Sequence, residues 1–189
     1  MKVLKTKLEG VKKIILDPFV DYRGEYVEIY NLNGWENTAN YVKFVQDDIS
    51  VSRKNVIRGI HGDKDTWKLV SCLHGEFYLV VVDCDVQSNK FAFWEGFIMS
   101  DKRREQILIP PLYGNAHLVM SDSAIFHYKQ SSYYQGQENQ FTYHFDEPLF
   151  NIKWPVRRED VILSKRDMEV ETIEESCNKL MKERDEKTS

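Results

Sequence analysis

Between roughly residues 10 and 160 the chain alternates short apolar or aromatic runs with polar, glycine-bearing breaks. The runs at 13–16, 26–30, 41–46, 67–71, 77–83, 91–97, 106–109 and 124–128 are rich in β-branched and aromatic residues, which predicts strands. DYRG at 21–24, LHG at 73–75 and QSN at 87–89 carry turn chemistry and separate them. FYLVVVD at 77–83 is almost wholly apolar, so that strand is expected to be buried on both faces. Many closely spaced strands with little helical patterning predict a sandwich or barrel. After Trp154-Pro155 the period changes. Val170, Ile173, Cys177, Leu180 and Met181 fall on one face of a 3.6-residue repeat, with charges on the other. Thr172 and Glu175 have capping-box spacing. The pattern predicts a β domain over 1–167, then an amphipathic packing or dimer helix and a frayed tail over 168–189.

Bulk composition narrows the class. The 189 residues suffice for one well-packed domain, and 42% hydrophobic with 30% charged residues is ordinary for a soluble chain. A net charge of −4 gives no sign of nucleic-acid binding. No apolar run has the length of a membrane span, and MKVLKTKLEG lacks the apolar core of a signal peptide. Cys72, Cys84 and Cys177 are odd in number and form no CxxC pair. Free thiols in a reducing cytoplasm are the simplest reading.

The stretch RGIHGDKDTWKLV at 58–70 carries the candidate chemistry. If Gly62–Asp65 closes a four-residue hairpin, His61 lies opposite Thr66 and Gly59 opposite Lys68. His61, Thr66 and Lys68 then share one face, with Ile60, Trp67 and Leu69 on the other. Arg58 falls on the Trp67 side and needs a bulge, or its own length, to join His61. Removing a proton next to a ketone requires a base of near-neutral pKa and a cation or donor for the enolate oxygen. A histidine and a lysine on one face suit those tasks. Inversion further needs an acid on the opposite face, and AIFHYKQSSYY at 124–134 offers tyrosines. The plainer reading treats His61 as a hydrogen-bonded strand histidine and Lys68 as an edge residue. PPLYGNAHLVM at 110–120 has the Pro…Gly-x-x-His spacing of a second cupin metal motif. The first motif, however, offers only His61-x-Asp63, with the cationic Lys68 nearby, so no metal site is expected.

Several ordered pieces carry a family resemblance: DPFVDYRGEYVEIYN (17–31), FVQDDISVSRKNVIRGIH (44–61), TWKLVSCLHGEFYLVVVD (66–83), IPPLYGNAH (109–117), AIFHYKQSSYY (124–134), NIKWP (151–155) and ILSKRD (162–167). Together they resemble the dTDP-4-dehydrorhamnose 3,5-epimerase family. The resemblance implies a mainly β, cupin-like double-stranded β-helix, or jelly roll, working as a homodimer without metal or organic cofactor. It implies a nucleotide-diphosphate 4-keto-6-deoxysugar substrate, with His61 as base and Asp167 as its carboxylate partner. Lys68 would lie beside the C4 oxygen and Tyr128 on the far face as acid. It further implies His117 as a second pocket histidine, Arg23, Gln46 and Arg58 as holders of the diphosphate or sugar, and Tyr134 in the sugar pocket. Family members often read RGLHYQ where this chain reads RGIHGD. Asp48 stands where asparagine is common, and AHGF is replaced by AHLV. Related epimerases act on dTDP-linked hexoses, GDP-linked heptoses or other nucleotide sugars, and some invert C3 alone. A 3,4-ketoisomerase on the same scaffold and a non-catalytic sugar-nucleotide-binding cupin remain alternatives. Convergence of His61, Lys68, Tyr128 and Asp167 separates the last from an enzyme.

Overall fold

The computed structural model describes residues 1–35, 42–170 and 172–173. In chain order the strands are β1 (Lys2–Lys5), β2 (Lys12–Ile15), β3 (Phe19–Asp21), β4 (Gly24–Tyr26), β5 (Gln46–Arg53), β6 (Ile57–Gly62), β7 (Lys68–His74), β8 (Glu76–Asp83), β9 (Trp94–Ser100), β10 (Glu105–Ile109), β11 (Tyr113–Val119), β12 (Ser123–Gln130) and β13 (Phe141–Thr142). Short helices occupy α1 (Leu32–Trp35) and α2 (Lys165–Met168). One sheet has the order β1-β2-β10-β7-β12-β5 and the other β13-β6-β11-β8-β9. From β5 to β13 the chain changes sheet at every step except between β8 and β9. That interleaving of two antiparallel sheets makes the jelly roll. A separate hairpin pairs β3 with β4 through the 21–24 turn.

Alternate residues of the two sheets meet in the middle. Val70, Cys72, Ile107, Ile109, Ala124 and Phe126 face Phe77, Leu79, Val81, Phe97, Met99 and Val119. Each such large side chain contributes about 1.5–3 kcal/mol by leaving water. The outer faces are covered too. Ile60, Val80, Val82 and Ala116 lie under Phe150 and Ile152, with Phe141, Tyr143 and Trp154 alongside. Ile14, Leu69 and Leu108 lie under Val27, Ile29, Tyr30, Val42 and Phe44. Covering on both faces explains the unbroken apolar run of β8.

Three expected elements move. Residues 27–30 and 42–45 are not strands; their apolar side chains cap the larger sheet. The strand of that region is β5, whose alternation is inverted: Ile49 and Val51 point outward while Ser50 and Ser52 turn inward. The 91–97 run enters the sheet only at Trp94. The amphipathic helix expected over 168–189 lies outside the described residues apart from 168–170 and 172–173. Among the described cysteines, Cys72 and Cys84 are buried and free. No helix among the described residues is long and apolar enough to cross a membrane.

The expected hairpin at 58–70 does not form. β6 pairs with β11 and β13, whereas β7 pairs with β10 and β12. Residues 63–67 therefore cross from one sheet to the other, and His61 and Lys68 oppose each other through the gap between the sheets. Ile60, Trp67 and Leu69 do turn away, but onto the outer faces of different sheets.

The bulge that Arg58 requires is present. His61 pairs with Asn115 and Arg58 with His117, so three steps on β6 match two on β11. The extra residue puts Arg58 and His61 on the same, inward face. Gly59 makes the distortion possible, with φ at +116°. A Cβ there would come within 2.5 Å of the Asn115 carbonyl oxygen and 2.7 Å of Ala116 Cα. Gly59→Ala is therefore expected to cost about 3 kcal/mol, from left-handed strain plus a backbone clash. A urea midpoint equal to wild type would show that the bulge does not require glycine.

Candidate active site

The inner faces of β5, β6, β7, β11 and β12, closed by α2 and residues 134–140, enclose a cavity of about 300 Å³. Its wall includes Arg58 and His61 from β6, Lys68 from β7, Asn115 and His117 from β11, and Phe126 and Tyr128 from β12. Ser164, Arg166 and Asp167 enter from the α2 side, and Tyr134 and Gln140 from the loop. The candidate base, cation, acid and carboxylate thus share one cavity, although they are up to 106 residues apart in sequence.

His61 Nε2 and Asp167 Oδ1 are 2.7 Å apart. A carboxylate only accepts, so Nε2 holds the proton and Nδ1 keeps the lone pair. Asp167 is 3% exposed and placed by the start of α2. Ser164 is the N-cap: its Oγ accepts from the Asp167 N–H and donates to Asp167 Oδ2 at 2.8 Å. Burial pushes the Asp167 pKa up, but hydrogen bonds from His61 and Ser164 and the charges of His61 and Arg166 outweigh it. The carboxyl is held below its ordinary range and stays ionised beside the imidazole.

Lys68 is 6% exposed. Burial lowers its pKa; Asp63 opposes that shift and Arg166 adds to it. Its Nζ donates to Asn115 Oδ1 at 3.3 Å and has no carboxylate partner among the described residues. Tyr128 has its pKa pushed up to about 12, chiefly by burial and then by Asp48 and Tyr134. Its hydroxyl is therefore protonated at neutral pH and available as an acid. Arg58 Nε donates to Ser52 Oγ at 2.9 Å. Arg166 donates to Thr142 Oγ1 at 2.6 Å and to Gln140 Oε1 at 3.3 Å. Neutral oxygens hold both guanidinium groups, which leaves their charge for the cavity.

His117 is buried and stacked on Phe126, with centroids 4.1 Å apart and planes 8° apart. Its Nε2 is buried without a hydrogen-bond partner among the described residues. Burial, then the charges of Arg58 and His61, drive its pKa down to about 3 despite Asp167. It is a neutral ring in the cavity wall.

Two expected site residues lie elsewhere. Gln46 is set back from the wall: its Oε1 accepts from the Tyr134 N–H and its Nε2 donates to Asp48 Oδ2. Arg23 sits on the exposed β3–β4 turn, bound to Asp21, and does not line this cavity. Conversely, Ser50, Asn115, Gln140, Ser164 and Arg166 line the cavity without having been singled out. The Ser-x-x-Asp spacing of Ser164 and Asp167 was the available sign of a helix start there. Among the described residues no three His, Cys, Asp or Glu side chains gather as a metal site would.

A jelly roll whose inter-sheet cavity holds a His–Asp pair, a buried lysine and a protonated tyrosine defines a cupin-like class suited to proton transfer at carbon. The family model for dTDP-4-dehydrorhamnose 3,5-epimerase matches residues 5–175, and the chain belongs to that family. It is 37% identical over 181 residues to dTDP-4-dehydrorhamnose 3,5-epimerase of Escherichia coli K12, covering 93% of this chain and 96% of that one. The enzyme of that name from Methanothermobacter thermautotrophicus is 32% identical, again over 93% and 96%. Among solved structures, dTDP-6-deoxy-D-glucose-3,5-epimerase from Legionella pneumophila Philadelphia 1, in complex with dTDP-4-keto-L-rhamnose, superposes with a TM-score of 0.86 at 32% identity. That match covers 92% of this chain and 93% of the other.

The state of His117 sets an acid sensitivity. Its pKa is about 3 in the fold, against about 6.5 when unfolded, so between those values the unfolded chain binds the extra proton. Stability then falls as pH drops through that window, by on the order of 4 kcal/mol in all. His117→Phe should remove this part of the slope in urea unfolding measured from pH 7 to pH 4. An unchanged slope would mean that His117 is not buried neutral.

Proposed function

We propose that this chain is a nucleotide-diphosphate 4-keto-6-deoxysugar 3- or 3,5-epimerase of deoxysugar biosynthesis, an isomerase. The observation that carries the reading is the meeting of the His61–Asp167 pair, Lys68 and the Tyr128 hydroxyl on one cavity. Nδ1 of His61 removes the proton from C3 of the sugar, and Asp167 stabilises the imidazolium that results. The electron pair moves through the C3–C4 bond onto the ketone oxygen, where Lys68 meets the developing charge. Tyr128 donates its proton to the opposite face of C3, which re-forms the ketone with inverted configuration. Because the ketone also acidifies C5, the same groups serve C5 after the sugar is re-posed. The ketone alone supplies the activation, so the chemistry calls for neither metal nor organic cofactor. Arg58 suits the diphosphate, and His117 and Tyr134 suit the sugar.

The reading includes a homodimer. Phe19, Val20, Tyr22 and Tyr26 project from the β3–β4 hairpin, and Tyr22 is 97% exposed. Ile49 and Val51 are exposed on β5, which among the described residues is an edge strand of its sheet. A second copy would cover these apolar surfaces. Arg23, which does not line the cavity of its own chain, would then serve the partner's.

Incubation with dTDP-, GDP- and UDP-linked 4-keto-6-deoxysugars in D2O tests the reaction. Deuterium at C3, or at C3 and C5, with the carbonyl still at C4, is expected; a carbonyl moved to C3 would mean a ketoisomerase. His61→Asn should cut exchange by at least about a hundredfold. Tyr128→Phe should leave exchange but stop inversion. Wild-type exchange in His61→Asn would remove His61 as the base.

Sedimentation equilibrium tests the assembly. A mass of twice 22.4 kDa is expected, with Arg23→Ala raising KM more than it lowers kcat. A lone chain at micromolar concentration would end both the dimer and the role of Arg23.

A further inference from the structure

Lys68 is a buried cation whose one hydrogen bond among the described residues goes to a neutral amide, Asn115 Oδ1. Asn115 is itself 9% exposed and lines the cavity. In the β6–β11 ladder it stands directly opposite His61, at the start of the bulge. One side chain therefore links the strand that carries the base to the residue that carries the positive charge. Among the described residues its amide nitrogen makes no hydrogen bond, in a side chain that lines the cavity.

The residue type matters here. An ammonium held in the cavity without an acceptor would be free to swing among rotamers or to lose its proton. A carboxylate at position 115 would hold it firmly but pair off its charge before substrate arrives. An amide oxygen anchors the Nζ and leaves the charge uncompensated. Beyond it, Asp63 and Arg166 act on Lys68 with opposite sign.

We propose that Asn115 is a positioning residue for Lys68: its side-chain oxygen aims the ammonium at the substrate's ketone oxygen, and its amide nitrogen offers the sugar a neutral donor beside that cation. This rests on the epimerase reading for the identity of the ketone and deepens it. Gly59 belongs to the same device, because only a residue without Cβ lets the Asn115 backbone approach β6 so closely.

Two measurements on the full-length protein test the proposal. In the first, Asn115→Leu should lower kcat about a hundredfold with a smaller change in KM, and Lys68→Met with Asn115→Leu should be no slower than Lys68→Met alone. Wild-type kcat in Asn115→Leu, or losses that multiply in the double variant, would overturn it. The second needs no turnover: the pH dependence of Lys68 acetylation by acetic anhydride, read by mass spectrometry. Asn115→Asp keeps the shape of the side chain, so it guards against a folding defect in the leucine variant. It should shift Lys68 modification to higher pH, and the alkaline limb of kcat with it, while kcat at neutral pH falls. An unmoved Lys68 titration would overturn the proposal even in an active epimerase. A moved titration in a protein that exchanges no sugar proton would uphold the Asn115–Lys68 link and count against the epimerase reading instead.

Discussion

One extra residue in β6 governs the site. In a regular strand Arg58 and His61 point to opposite faces, because they are three apart and the side-chain period is two. The bulge opposite Asn115 and His117 adds the missing step. It turns both side chains inward while Ile57 and Ile60 remain packed outside. Arg58, His61, Asn115 and His117 are arranged about that step. His61 reaches Asp167, Arg58 comes near His117, and Asn115 is brought against Gly59. The distortion is affordable because β6 is held on both edges, by β11 and β13, and packed on its outer face.

Charge follows from the same arrangement. Among the described residues the cavity wall holds the cations Arg58, Lys68 and Arg166, with the base His61, against a single carboxylate, Asp167. That carboxylate is engaged by His61 and Ser164. The two arginines and the lysine are held by neutral oxygens of Ser52, Gln140, Thr142 and Asn115. Such a site is short of negative charge, which an anionic nucleotide sugar and its enolate would supply. Tyr128 and His117 respond to burial in opposite ways: the phenol keeps its proton and the imidazole refuses a second one.

Much of this was legible in the sequence. The apolar blocks of β7, β8 and β10 were visible because both faces of those strands are covered. The family resemblance of the ordered motifs grouped His61, Lys68, Tyr128 and Asp167. What failed was local geometry. A polar break between two extended runs reads as a hairpin, yet here it is a crossing between sheets, since each strand finds its partners farther along the chain. β5 was missed because its polar residues line a cavity and its apolar ones face out, which inverts the usual alternation. Asn115 and Arg166 carry no spacing signal at all; only the fold brings Asn115 to Lys68 and Arg166 to Gln140 and Thr142.

The departure at RGIHGD divides into two physical cases. A Cβ at Gly62 would lie 2.3 Å from the Phe141 ring and 2.6 Å from the Tyr113 carbonyl oxygen. Glycine there answers to the packing of β13 and β11 on β6, so it says little about substrate. Asp63 is different. Its Oδ1 accepts the N–H groups of Asp65 and Thr66, which turns the chain toward the other sheet. Its charge meanwhile supports the protonated form of Lys68 against burial and Arg166. The pair that looks like one variation on a motif is thus one packing residue and one electrostatic residue. Only Asp63 bears on how the cavity treats a ketone oxygen.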